Sequence, residues 1–157
     1  MPTQTTYSTN IAAPQPGVLA GNVDNARIAT GICETAAPGI PFGRAVQVGT
    51  LSDQGRLLGV AAAAAFRGVS LRDVTLRGDL ATLDAYIPPN SLGVLESGEV
   101  WVEPGEAVAI TDPVYAVPAT GVFMKTVGSN VLIANARWKT SCGVGGRAIL
   151  QLFATTA

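Results

Sequence analysis

The run Glu99-Val100-Trp101-Val102-Glu103 has the pattern on which the fold assignment depends. Its two valines alternate with the tryptophan and the two acids, so a β-strand would place the valines on one face and the other side chains opposite. Turn-forming pairs, Ser97-Gly98 and Pro104-Gly105, bound the run on both sides. The pattern predicts a short strand that is buried on one face and lies between two turns.

The same rhythm of short alternating runs and turns continues along the chain. Its 18 glycines and 10 prolines are spread as turn signals, and the spacing of about ten residues between turns is typical of a sandwich or barrel. No long stretch places apolar residues at helical spacing. For 157 residues, about one domain, we expect an all-β, single-domain β-sandwich or barrel of the jelly-roll or a related type.

Several other segments fit strands. Val122–Val127 and Val131–Lys139 are predicted to form a hairpin across Gly128-Ser129-Asn130, with Leu132 and Trp138 on one face. The remaining predicted strands are Ala45–Val48, Val69–Arg72, Val74–Arg77, with a β-bulge at Asp73, and a closing strand with Leu150 opposite Gln151.

Three segments are less regular. The alanine-rich Gly59–Phe66 favours a strand, with a short helix as the alternative. Ser91–Glu96 and Asp79–Tyr86 are expected to hold one turn of helix at most.

The composition excludes several classes of function. The chain has no histidine, so a Ser-His-Asp triad, a Cys-His dyad and a zinc site that depends on histidine are impossible. Eleven acids and ten bases leave a net charge of −1, without the excess of bases that phosphate binding needs. The two cysteines, Cys33 and Cys142, are expected to be free thiols, although a disulfide remains possible. We expect no metal, no cofactor and no nucleic-acid partner.

Residues 1–23 differ from the rest of the chain. They carry no charged side chain, and Pro14 and Pro16 separate a polar, β-compatible stretch from the body. Because disordered tails usually carry charge, we favour an extended arm over 1–23 that lies on a partner, with a β domain over 24–157. A disordered terminus is the alternative. The candidate contact residues in the arm are Thr5, Thr6, Tyr7 and Ile11.

No targeting segment is evident either. The uncharged start lacks the basic region of a signal peptide, and the longest apolar run, Leu57–Phe66, is far below the about 18 residues of a membrane span. We therefore expect a protein made and kept in the cytoplasm, without a membrane partner.

A search for catalytic groups yields no active site. Gly143–Gly146 lacks the lysine of a phosphate-binding loop and is interpreted as a turn. The acids Glu96, Glu99, Glu103 and Glu106 and the lysines Lys125 and Lys139 are interpreted as surface groups. Arg67, Arg72 and Arg77 alternate with acids, which favours an ion-paired surface. Trp101 is a packing residue or, lying opposite the two valines, the anchor of a subunit contact.

Six short segments lie in a characteristic order along the chain: Gly39–Val46, Leu58–Ala61, Gly98–Val102, Asp112–Tyr115, Gly121–Phe123 and Ala134–Trp138. In this order and spacing they resemble the decoration, or structural cement, proteins of tailed-bacteriophage capsids. The resemblance spans roughly residues 17–153.

The resemblance implies a non-enzymatic protein that binds the outside of an icosahedral shell after assembly in the host cytoplasm. Its partners would be the major capsid protein and copies of itself, as a trimer or else a dimer. The alternative is another virion β module, in a tail or fibre, that binds a receptor or a glycan. A barrel enzyme of the nucleotide-hydrolase kind would need clustered acids with a metal, and the acids here are scattered.

Overall fold

The structure, a computed structural model, describes residues 14–59, 65–76 and 85–154. These residues form twelve strands and a 3₁₀ turn at Val23–Asn25, which confirms the all-β prediction. The strands are β1 (Arg27–Cys33), β2 (Ile40–Pro41), β3 (Ala45–Val48), β4 (Gln54–Leu57), β5 (Phe66–Ser70), β6 (Ala85–Tyr86), β7 (Ser91–Val102), β8 (Tyr115–Ala116), β9 (Phe123–Met124), β10 (Val131–Leu132), β11 (Ala136–Trp138) and β12 (Ala148–Leu152).

Five of these strands close into a small barrel. β1 pairs with β4 in parallel, and the order continues through antiparallel pairs from β4 to β3, β5 and β7. β7 then pairs with β1 over Ile28↔Leu95 to Ile32↔Ser91, which returns the sheet to its first strand. Closure protects the paired edges of the strands. Of the two predicted architectures, sandwich or barrel, the structure has the barrel.

The twelve-residue strand β7 belongs to two parts of the molecule. Its first half closes the barrel, and its second half, which contains the Glu99–Val102 run, pairs with β12 from Leu152↔Gly98 to Ala148↔Val102. β11 pairs in turn with β12. Val100 and Val102 are fully buried while Trp101 is partly exposed, so the two faces predicted for this strand are confirmed.

The apolar side chains form two cores, one inside the barrel and one outside its wall. The inner core combines residues of three barrel strands with the neighbouring β2 and β6, and it contains Cys33, Ile40, Phe42, Val46, Tyr86, Leu92 and Val94. The outer core lies between the barrel and the later strands, and it includes Val69, Leu95, Val100, Val102, Phe123, Trp138 and Leu150.

Glycines keep the barrel narrow. A Cβ at Gly68 would overlap the carbonyl oxygen of Leu95, and a Cβ at Gly55 would lie 2.6 Å from Leu92 Cδ2. A five-stranded barrel has little interior room, so these inward positions have no space for a side chain.

Two small sheets complete the fold. β8 is the central strand of a three-stranded sheet, with β10 and β9 on its two sides. The buried face of this sheet adds Ala116 of β8 and Phe123 of β9 to the outer core. β2 and β6 form a two-stranded sheet through Ile40↔Tyr86.

The predicted hairpin from Val122 to Lys139 is wrong. β9 and β10 both pair with β8, which lies between them and comes from an earlier part of the chain. The second half of the hairpin is also interrupted, because Ala136 N–H donates to Ile133 O in a turn. As a result Leu132 is 49% exposed and Trp138 is 1% exposed, so the two do not share a face.

The predicted strand Val74–Arg77, with its bulge, is also wrong over its described residues. The Asp73 carboxylate accepts hydrogen bonds from the N–H and the hydroxyl of Thr75, at 2.8 and 2.7 Å, which makes a turn. Val74 is 82% exposed at its tip. Ser91–Glu96, expected to hold a turn of helix at most, is strand, because its alternating Leu92 and Val94 face the inner core.

Other predictions are confirmed or lie outside the described residues. Ala45–Val48 and the closing strand with Leu150 form as predicted, and Gly143–Gly146 lies in a turn. Residues 60–64 of the alanine-rich segment, residues 77–84 and the arm residues 1–13 lie outside the described part.

Both cysteines are free thiols, as expected. The Cys33 Sγ lies 3.3 Å from Tyr86 O in the inner core, and burial raises the pKa of this thiol. Over residues 14–59, 65–76 and 85–154, no helix has the length and apolar character needed to cross a bilayer.

Candidate functional site

The arm joins the body along the second half of β7. The N–H of Gly17 donates to the carbonyl of Trp101 at 2.8 Å, and the N–H of Trp101 donates to Val18 O at 2.8 Å. Ala20 N–H donates to Glu99 O at 2.9 Å, with Leu19 bridged to Val100 between them. Residues 17–20 therefore form a short strand-like connection, called here the arm root, on the edge of β7 that β12 does not use.

Gly17 determines how the chain enters the arm root. Its φ is +83°, a left-handed conformation that favours glycine. A Cβ at this position would lie 2.8 Å from the backbone nitrogen of Arg72 and 2.9 Å from Phe42 Cβ. The close approach is possible only without a side chain, so Gly17 fixes the point at which the chain enters the arm root.

Trp101, the contact residue predicted on the body, lies beside the arm root. Its register partner on β12 is Ile149, and extension of the Leu19↔Val100 bridge by one residue places Val18 opposite it. All three side chains are partly exposed on the outer side of the sheet. The structure thus brings Trp101 next to the base of the arm, while Thr5, Thr6, Tyr7 and Ile11 lie outside the described residues.

The acidic residues singled out in the sequence form separate interactions. Glu99 pairs with Lys139 at 2.5 Å, and Glu96 pairs with Arg27 at 2.8 Å and with Arg67 at 3.6 Å. Of the three arginines predicted to form an ion-paired surface, Arg67 pairs with Glu96, Arg72 lies over the Phe42 ring, and Arg77 lies outside the described residues.

Glu106 has a structural position. Its carboxylate accepts hydrogen bonds from the N–H groups of Lys125 and Thr126, both at 2.7 Å, and from the Thr126 hydroxyl at 2.9 Å. Burial raises its pKa, but these hydrogen bonds and the Lys125 charge outweigh burial, so the pKa lies below its usual range. This carboxylate holds the chain after β9 and is not poised for acid–base chemistry.

Over residues 14–59, 65–76 and 85–154, no group of three or more acids or cysteines is placed to hold a metal ion. The buried polar side chains there all have hydrogen-bond partners. The described surface presents a strand edge that the arm root uses, the half-buried Trp101 and nearby charged groups.

A further basic group beside the arm root was not predicted from the sequence. Arg72 lies over the Phe42 ring, with Cζ 5.2 Å from the ring centroid, and Arg147 donates to Gln15 Oε1 at 3.1 Å. Arg44 lines the same groove as Arg72. Arg44 and Arg72 are far apart in sequence, and the pairing of β3 with β5 brings them together.

These features define a class: an all-β module with an N-terminal segment attached along a strand, suited to assembly. The family model described as "Structural cement protein (E217 gp24/Pam3 gp6)" matches residues 3–153. The chain belongs to this family of phage cement proteins, and its role is structural and associated with the capsid.

A solved structure has the same fold. A chain of "The capsid of Myoviridae Phage XM1" is similar with a TM-score of 0.66 and 16% identity, over 96% of this chain and 97% of that chain. At this identity the likeness concerns the fold. None of the curated proteins matches the chain.

Proposed function

We propose that this protein binds the outer surface of an icosahedral phage shell, bridges neighbouring major capsid subunits and stabilises the shell. The observation that carries the proposal is the match of the cement-protein family to nearly the whole chain, residues 3–153. The protein works as a homo-oligomer, with a trimer as the first candidate and a dimer as the second. It performs no catalytic step and needs no cofactor, nucleic acid or membrane.

The arm supplies one part of the attachment. Residues 1–16 precede the arm root, which is fixed to β7 by the strand-like hydrogen bonds of residues 17–20. An uncharged, threonine-rich segment of this kind suits addition to a strand of a capsid subunit, where main-chain hydrogen bonds supply affinity. The candidate contacts are Thr5, Thr6, Tyr7 and Ile11, with Trp101 of the body at the base.

Multivalency of the oligomer supplies the other part of the attachment to the shell. Once one copy in an oligomer is bound, the remaining copies meet their sites at a high effective concentration. Several modest contacts then hold the shell more firmly than any single contact. Low surface charge supports this role, because charged residues are only 13% of the chain and covered surface carries little charge.

The test uses capsid particles that lack this protein, to which the purified full-length chain is added back. Electron microscopy of the particles is expected to show density on the outer surface at sites between major capsid subunits. Particles carrying the protein are expected to release their genome at a higher temperature than bare particles. Absence of binding, or binding to tails or fibres alone, would overturn the proposal.

A further inference from the structure

The outer face of the three-stranded sheet is apolar. In one cross-strand row, Tyr115 lies opposite Leu132 of β10 and opposite Met124 of β9. This row alternates with the one that supplies Ala116 and Phe123 to the outer core, so its side chains point away from that core. An antiparallel sheet with one face on a core usually carries polar residues on its other face. The row of Tyr115 departs from that rule.

Two valines extend the same face. The N–H of Val117 donates to Val122 O at 2.8 Å, and both residues lie two positions along their strands from the Tyr115 row. The side chains of this face are all at least partly exposed, and none of them belongs to either core or packs against it. We call this group the outer apolar face, and it consists of Tyr115, Val117, Val122, Met124 and Leu132.

The sheet that carries this face has almost no charge. Residues 113–136, which contain all three of its strands, include one charged side chain, Lys125. Its ammonium group pairs with the Asp112 carboxylate at 3.7 Å. Charged residues are depleted in the centre of protein interfaces, where tyrosine and methionine are enriched. The composition is therefore that of a surface that another protein covers.

The outer apolar face points away from the side that carries Trp101. Val100 and Val102 of β7 contribute to the same outer core as Ala116 and Phe123, so the two sheets enclose that core from opposite sides. Trp101 alternates with the two valines and projects on the other side of its sheet. A capsid subunit held by the arm and Trp101 thus leaves the outer apolar face to a different partner.

We propose that the outer apolar face binds the same face of a second copy of this chain, about a two-fold axis. A two-fold contact brings one surface against itself, so the surface has to be complementary to itself. An uncharged apolar face meets this condition, because two copies bring no like charges together and both remove apolar area from water. Two such sheets can pack face to face like the layers of a β-sandwich.

The contact rests on the proposed function and deepens it. Packed sheets lie about 10 Å apart, so two copies joined at this face place their arm-root sheets about 30 Å apart, on opposite sides of the pair. Each arm then reaches a different capsid subunit, which is what bridging requires. Of the two oligomeric states considered above, this contact favours the dimer.

The first test measures the oligomeric state of the full-length protein by sedimentation equilibrium over a series of concentrations. Leu132→Glu places a charge on the outer apolar face, at a side chain that is 49% exposed, so the body is expected to fold. Val144→Glu is the matched control, because Val144 is 81% exposed in the turn before β12. Leu132→Glu is expected to raise the dissociation constant of the dimer at least about tenfold, since the contact would bury an unpaired charge. Val144→Glu is expected to leave it unchanged.

A covalent cross-link gives a second measurement that does not depend on weakening the contact. Tyr115→Cys, in the middle of its row, is made together with Cys142→Ser, which removes the half-buried native thiol. A short bis-maleimide is expected to link two copies through this cysteine. The control is Ser52→Cys in the same background, at an exposed position on the barrel, which is expected to give no linked dimer. Thermal unfolding identifies any variant that does not fold.

The outcomes separate this contact from the proposed function. A protein that is monomeric at every concentration, or an oligomer that Leu132→Glu leaves intact, would overturn the two-fold contact. Weaker binding of Leu132→Glu to capsid particles, with its dimer unchanged, would also overturn it and assign the face to a capsid subunit. If the unchanged protein forms the dimer but does not bind particles that lack it, the proposed function fails while the contact stands.

Discussion

Gly17 and Trp101 are joined by a backbone hydrogen bond of 2.8 Å, from the amide nitrogen of Gly17 to the carbonyl oxygen of Trp101. The carbonyl of Gly17 accepts a second bond, from the N–H of Arg72, also at 2.8 Å. One glycine thus ties the end of β7 to the segment that follows β5. Because its φ is positive and its surroundings leave no room for a Cβ, the attachment of the arm depends on this residue.

Gly17→Ala is therefore expected to loosen the arm root. The left-handed conformation costs an L-residue about 1 kcal/mol, and the methyl group must also displace the Arg72 backbone, which together destabilise the protein by about 2 kcal/mol. Thermal unfolding measures this loss, and limited proteolysis is expected to cut faster near residues 14–20. Binding to capsid particles is expected to weaken in parallel.

The control for this substitution is Gly143→Ala. Nothing lies within 4 Å of a Cβ at Gly143, and its backbone is not left-handed, so no loss is expected. Equal stability and equal protease resistance of the two variants would contradict the role assigned to Gly17.

Deletion of residues 2–16 tests the arm itself. The arm root keeps its bonds to β7, and among residues 14–18 none belongs to the two cores, so the body is expected to fold. Attachment to the capsid is expected to weaken because the main-chain contacts of the arm are lost. Circular dichroism checks the fold and sedimentation with particles checks binding. A truncated protein that binds as well as the full chain would refute the arm.

Local alternation was sufficient to predict the class of fold and several strands. In Glu99–Val102 the two valines alternate with other residues, in Leu150–Leu152 the two leucines flank Gln151, and burial follows this alternation in both strands. These runs have one side facing the outer core, and this is the condition under which a pattern of period two is informative. The turn signals that bound them gave the all-β class.

Pairings between distant segments could not be predicted in this way. The local pattern of residues 122–139 suits a hairpin, yet the competing partner β8 comes from Tyr115–Ala116 and separates the two halves. Val74 and Leu76 alternate like a strand, but the side chain of Asp73 forms a turn with Thr75. Side-chain hydrogen bonds of this kind compete with strand pairing, and residue pattern alone does not rank them.

The candidate site shows the same limit. The arm and Trp101 were selected because one lacks charge and the other lies opposite buried valines, and both are visible in a single segment. Arg44 and Arg72 line one groove because β3 pairs with β5, and Arg147 lies near the arm through its hydrogen bond to Gln15. No spacing in the sequence indicates that grouping, and the sequence places Arg72 with its neighbours Arg67 and Arg77 instead.

The narrow interior of the barrel predicts a severe effect of Gly68→Ala. The new Cβ would overlap the carbonyl oxygen of Leu95, and it would lie 2.9 Å from Val94 Cγ1. The first neighbour is backbone in a paired strand and cannot rotate away, so a loss of about 3 kcal/mol in the free energy of unfolding is expected. Chemical denaturation measures it, with Gly143→Ala as the control. A loss below about 1 kcal/mol would show that the barrel adapts and is not tightly closed.

The hydrogen-bonded Glu106 carboxylate predicts that the stability of the protein falls at acidic pH. Hydrogen bonds from Lys125 and Thr126 hold its pKa below the usual range, so its contribution is present above the pKa of the unfolded chain. That contribution is lost as the pH falls through the lower pKa of the folded state. Glu106→Gln is expected to cost about 1 kcal/mol at neutral pH, since the site is partly solvated, and to flatten the fall in stability at acidic pH.

Asp53→Asn is the matched control for Glu106→Gln, because Asp53 is an exposed acid on the barrel. Thermal unfolding between pH 7 and about pH 3 is measured for both variants and the unchanged protein. Only the Glu106 variant is expected to differ from the unchanged protein in how its stability falls at acidic pH. Parallel curves for all three proteins would contradict the role of the carboxylate.

The two tryptophans are expected to differ in what their removal changes. Trp138 is 1% exposed in the outer core, and its Nε1 donates to Pro113 O at 3.3 Å, so Trp138→Ala is expected to cost about 3–5 kcal/mol of stability. Trp101 is only partly buried, so Trp101→Ala is expected to cost less than about 2 kcal/mol.

For capsid binding by the folded protein we expect the opposite order, with Trp101→Ala causing the larger loss. Trp101→Ala is expected to bind particles at least about tenfold more weakly, because a tryptophan anchor beside the arm root would lose its pocket on the partner. Val144→Ala removes an exposed apolar side chain from the turn before β12 and serves as the control. If Trp101→Ala binds as well as Val144→Ala and loses only stability, Trp101 packs the body and does not anchor a contact.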